Sequence, residues 1–107
     1  MFDKPNYLKY YRNTLFAFRD KYGLKISDIE FLFFIYDLES WNCTYVKKNY
    51  KSSLTFLTRN IPDLMGKGYI SIYLEKAHGR ARKYMISQRG RLLVSRFYRV
   101  LNDKEII

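Results

Sequence analysis

One cysteine and one histidine, Cys43 and His78, are all that this chain offers of the residues that form disulfides and most often hold zinc. A lone thiol closes no intramolecular bridge, and one thiol with one imidazole falls short of a tetrahedral structural zinc site. A disulfide scaffold is therefore excluded. No metal and no cofactor is expected, and a reducing compartment follows: the cytoplasm of a bacterium or a virus-infected cell. Long apolar runs are missing as well, so no membrane span is expected. The first residues lack the basic and apolar regions of a secretory signal. Proline is limited to Pro5 and Pro62, and no low-complexity linker divides the 107 residues, which suits one domain. Its expected parts are an N-terminal helical segment (1–24), a central unit (25–87) and a C-terminal helix (88–107). No glycine loop to cradle phosphate is present, and Cys43 and His78 do not stand at a useful sequence distance, so catalysis is not expected. Pro62-Asp63 with Glu75-Lys76 comes near a nuclease pattern, but the lysine falls one position early.

Acidic charge is scarce in one half only. Residues 1–46 carry six basic and six acidic side chains, whereas residues 47–107 carry fourteen basic and four acidic. The net charge of +10 thus belongs entirely to the second part. Such a surface points to a polyanion, bound through counterion release from phosphates. Aromatics are plentiful, with eleven Tyr and eight Phe. Their helical spacing assigns most of them to a core, with base stacking on single strands as the lesser alternative.

Periodicity divides the chain into helices and one hairpin. Leu8, Tyr11, Leu15, Phe18 and Tyr22 lie on one face of a helix over residues 6–22. Ser27-x-x-Glu30 reads as a capping box for a helix over 27–40, with Ile29, Leu32, Phe33 and Tyr36 inward. Thr44 is expected to open a short helix over 44–50. Ser52 or Ser53 opens a fourth, over 53–66, with an inner stripe of Leu54, Leu57, Ile61 and Leu64. Pro62 inside that pattern predicts a bend near residues 58–61. Residues 69–75 and 82–86 read as strands joined by a turn at 77–80. Ser87 caps a last helix through about Asn102, with Leu93, Phe97, Val100 and Leu101 as its stripe.

This is a mostly α chain with a small β-hairpin, in the order of a winged helix-turn-helix flanked by an N-terminal and a C-terminal helix. Residues 27–93 resemble the MarR-type transcriptional regulators. The likeness is carried by Ser27-x-x-Glu30, by Thr58-Arg59 followed by Leu64-x-x-x-Gly68-Tyr69-Ile70, by Gly79-Arg80-Ala81, and by Ile86-Ser87-Gln88-Arg89-Gly90-x-x-Leu93. Pro62 departs from the family's recognition helix. The resemblance implies sequence-specific binding of double-stranded DNA. Helix 53–66 would enter the major groove, and wing 76–83 the minor groove or the backbone.

With the leucine stripe inward, the outer face of the fourth helix holds Ser52, Thr55, Phe56, Arg59 and Asp63, with Asn60 at the flank. Arg59 is placed to meet guanine or a phosphate, Asn60 adenine, and Phe56 a thymine methyl or the neighbouring helix. Lys47, Lys48 and Lys51, with Ser53, suit backbone contacts that set register. His78, Arg80, Arg82 and Lys83 surround the wing tip, with Arg80 and Arg82 on one side and Lys83 on the other. Arg89 and Arg91 open the last helix, where an anion would relieve them. A homodimer through the two end helices is the expected assembly, because Tyr7, Tyr10 and Phe16 exceed the first helix's own core contact. The alternative is a winged-helix module for protein–protein or RNA contact.

Overall fold

The computed structural model describes residues 4–50, 53–76, 79 and 81–102. Among them, α1 spans Lys4–Tyr22, α2 Ile26–Ile35, α3 Cys43–Asn49 and α4 Ile61–Gly66. The hairpin strands are β1, Ile70–Leu74, and β2, Lys83–Ile86, and α5 spans Gln88–Leu101. No helix among these residues is long and apolar enough to cross a membrane. Lys51, Ser52, His78 and Arg80, assigned above to the interface, lie outside the described residues.

Two of the expected caps move. At α2 the backbone N–H of Lys25 donates to the Asp28 carboxylate at 3.4 Å, so Asp28 rather than Glu30 reaches back to the helix start. At α3 the Asn42 side chain, not Thr44, accepts the N–H of Tyr45 at 2.8 Å. Helix α2 also ends at Ile35, five residues short of the expectation. Just beyond it the N–H of Leu38 bonds the Ile35 carbonyl at 3.1 Å, and Trp41 pairs with Tyr84 instead of continuing toward α3.

The fourth helical segment takes the bend that Pro62 demands as a π-helical turn over Phe56–Asn60, which runs directly into α4. Pro62 has no N–H to return to the Thr58 carbonyl, so the α ladder is already broken there. The wider turn, with bonds five residues apart, brings Phe56 and Ile61 to the same side. The expected stripe is corrected accordingly. Leu54 is 71% exposed, Leu57 and Phe56 are half-buried, and Ile61 and Leu64 are buried.

Aromatics join the elements in two clusters. Phe97 of α5 meets Phe18 and Tyr11 of α1 at ring separations of 5.0 and 5.7 Å, and Phe33 of α2 at 4.8 Å. Phe31 of α2 is the centre of the second, edge-on to Trp41, Tyr50 and Phe56 at 5.5, 5.3 and 5.0 Å. Phe31 and Ile35, absent from the expected inward set, are fully buried, whereas Phe33 and Tyr36 are only half-buried. The stripe of α5 is as expected: Leu93, Phe97, Val100 and Leu101 are all buried.

The hairpin is antiparallel, pairing Ile70 with Ile86, Ser71 with Met85, Ile72 with Tyr84 and Leu74 with Lys83, with an irregularity between Ile72 and Leu74 that leaves Tyr73 extra. Tyr84 exchanges both backbone hydrogen bonds with Trp41, at 2.7 and 2.9 Å. A strand residue aims its N–H and C=O at the same neighbour, so Trp41 lies on the edge of β2 away from β1. The sheet order is therefore Trp41, β2, β1, with the segment before α3 as a one-residue outer strand.

Candidate nucleic-acid interface

The exposed side of the fourth helical segment starts at Ser53, whose Oγ accepts the Phe56 N–H at 3.1 Å. Thr55, Thr58 and Arg59 follow as exposed side chains. Thr58 Oγ1 is turned back onto the Leu54 carbonyl at 3.0 Å, leaving Thr55 and Arg59 as the outward groups. Arg59 borders a depression of about 360 Å³ with Lys25, Asn60, Asp63 and Lys67. Lys67 pairs with Asp63 at 3.1 Å and also donates to the Gly23 carbonyl at 3.4 Å. Both partners of that ion pair are well exposed, so it contributes at most about 1 kcal/mol.

One expected base reader, Asn60, is committed elsewhere, and Phe56 takes the second of its two expected places. The Asn60 amide nitrogen donates to Asp28 Oδ1 at 2.8 Å. Asp28 is fully buried, and the bond satisfies a carboxylate that has no access to water. The Phe56 ring lies in the Phe31 cluster, 6.0 Å from Tyr50, and so packs on the helix before it rather than facing outward. Leu54, just before the π turn, is exposed instead. Sequence periodicity missed this because it assumes an unbroken 3.6-residue repeat.

Lys47 and Lys48 are exposed in the last turn of α3, where cations also favour the helix dipole. Lys83 is exposed at the first position of β2. Arg82 precedes the strand, and its Nε donates to Glu75 across the hairpin at 2.6 Å. The carboxylate raises the already high pKa of the guanidinium, so the arginine stays charged while its reach is restrained. Tyr73 donates its hydroxyl to Glu39 at 3.1 Å, tying the extra residue of β1 to the segment before Trp41. That bond, with the charge of Glu39, holds the Tyr73 phenol above its usual range. Gly79, in the turn, has φ +77°, a conformation that favours glycine.

The structure adds Lys25 and Lys67 beside Arg59. The sequence separates these cations widely, and only the packing of the α1–α2 turn against the end of α4 assembles them. Cys43 is half-buried, and its burial pushes the thiol pKa up, which suits an inert side chain rather than a nucleophile. No group of three or more His, Cys, Asp or Glu that could hold a metal ion occurs among the described residues. Neither a protein-family model, nor a curated protein, nor a solved structure matches the chain.

Proposed function

We propose that this chain is a winged helix-turn-helix protein that binds double-stranded DNA and works as a non-catalytic regulator of transcription. The observation that carries this reading is the sheet order Trp41, β2, β1. A hairpin pinned at its base on both sides, by Trp41 and by α4, is a wing held at a fixed angle to the preceding helix. Arg59, Thr55, Lys47, Lys48 and Lys83 supply donors and charge, and the excess of positive charge in residues 47–107 supports a polyanionic partner. Arg59 is the base reader in this scheme, and Lys47 and Lys48 are the phosphate anchors.

Gel-shift titrations over a range of salt test it. Binding should weaken steeply as salt rises. Arg59→Ala should cost about 1–3 kcal/mol on a preferred site and relax its specificity, while Lys48→Ala should weaken all sequences alike and flatten the salt slope. No binding at low salt would end the reading. A second reading, docking of a partner protein, is favoured by the exposed apolar side chains Leu54, Tyr73 and Leu74. Affinity that barely responds to salt would select it.

A homodimer through α1 and α5 belongs to the same proposal. Leu8 and Tyr98, each 63% exposed, and Tyr7 supply apolar surface there. Tyr10 does not, since its hydroxyl donates to the Val100 carbonyl at 2.7 Å within the chain. Sedimentation equilibrium at micromolar concentration, with a monomer as the contrary result, decides it.

A further inference from the structure

The depression beside Arg59 holds more positive charge than a base reader alone requires. Lys25, Arg59 and Lys67 border it with Asn60 and Asp63, so three cations face one carboxylate. That carboxylate is already met by Lys67 at 3.1 Å. Lys25 and Arg59 are exposed, and neither enters an ion pair among the described residues. Lys67 is steadied by Asp63 and by the Gly23 carbonyl, which leaves one of its three ammonium protons unused.

The backbone at Lys25 is fixed relative to Arg59. Its carbonyl accepts the N–H groups of Asp28 and Ile29 at 3.0 and 3.1 Å, and its own N–H donates to Asp28 Oδ2 at 3.4 Å. The other oxygen of that buried carboxylate accepts from Asn60, the residue next to Arg59, at 2.8 Å. Asp28 thus joins the start of α2 to the π turn, and the stems of Lys25 and Arg59 begin from a set separation.

Position along the fourth helical segment decides what these cations meet. Lys47 and Lys48 precede the segment, residues 54–66, whereas Lys67 follows it with Lys25 alongside. At a rise of about 1.5 Å per residue the segment is roughly 20 Å long, so cations at its two ends do not share one phosphate. Arg59 stands between them. A helix in the major groove, about 12 Å wide, has a phosphate strand on either side. Anchors at one end alone would leave it free to pivot, and the reading side chain would sweep across several base pairs. We infer that Lys25, with Lys67 beside it, holds a second backbone phosphate of the duplex, distinct from any met by Lys47 and Lys48, and so sets the angle at which Arg59 meets its base. This rests on the duplex-DNA reading and adds a positioning residue to it.

The test measures affinity against salt for the full chain on a duplex selected from a random library and on an unrelated duplex. Lys25→Gln should weaken both alike and make the slope of log affinity against log salt shallower by about one. Lys25→Arg, which keeps the charge, should restore the slope, a rescue that a purely structural role would not tie to salt. Lys9→Gln, an exposed cation of α1, should leave the slope unchanged. Ethylation of single phosphates on the selected duplex then locates the contact. One phosphate whose ethylation weakens the wild type should cease to matter in Lys25→Gln, and a different one in Lys48→Gln. An unchanged slope in Lys25→Gln, or loss of the same phosphate in both variants, overturns the inference and leaves the DNA reading standing. Absence of binding to any duplex at low salt ends both.

Discussion

Asn60 and Arg59 are neighbours in the π turn with different work. Asn60 satisfies the buried Asp28, so Asn60→Ala should lower stability by about 1–3 kcal/mol, the penalty for stranding a buried polar group. Arg59 is exposed and should cost no more than about 0.5 kcal/mol when truncated. Thermal melts of the two variants check this, and equal losses would show that Asp28 does not depend on Asn60. Sequence alone placed Asn60 at the flank of a reading face. Its partner lies 32 positions away, beyond the range of any local pattern.

The step from the hairpin into α5 is the most tightly specified element. Ser87 Oγ accepts the Gly90 N–H at 3.0 Å, and the Ser87 N–H donates to the Tyr69 carbonyl at 3.0 Å. A Cβ on Gly90 would stand 2.6 Å from both Ile86 Cγ1 and the Tyr69 carbonyl oxygen. Gly90→Ala should therefore destabilise the fold by about 1–3 kcal/mol or more through overpacking, read as a lower urea midpoint. An unchanged midpoint would mean that this crossing relaxes freely. Both the cap and the stripe of α5 were legible in the sequence, because Ser87, Gly90 and Leu93 act within one or two turns. Helix α2 was less so. It is apolar nearly all round, so no pattern chose Phe31 over Phe33, and its end is decided by the pairing of Trp41 with a strand much later in the chain. The fourth helix kept its place and the later part of its stripe, Ile61 and Leu64, but lost Leu54 from it, where Pro62 makes the bend a π turn.

Across the whole molecule, one tyrosine in each aromatic cluster sets a limit in alkali. Burial, chiefly, with the charges of Glu30 and Asp28 adding to it, holds the Tyr50 phenol above its usual range; burial and then Glu30 do the same for Tyr11. A phenol whose pKa is raised on folding stabilises the fold fully below the unfolded pKa, about 10, and that stability is lost as pH rises through the folded value. Tyr50→Phe should move alkaline unfolding to higher pH, measured by circular dichroism. An unmoved midpoint would remove Tyr50 from the cause. One feature of the sheet makes such transitions easy to follow. Trp41 is the sole tryptophan, is 2% exposed, and its indole N–H has no hydrogen-bond partner among the described residues. Its fluorescence should be blue in the folded chain and redden when the outer edge of the sheet parts from Phe31 and Tyr84. If that colour change and the loss of helical ellipticity share one midpoint, the hairpin and the helices unfold as a unit; an earlier reddening would mean that the hairpin detaches from helices that remain folded.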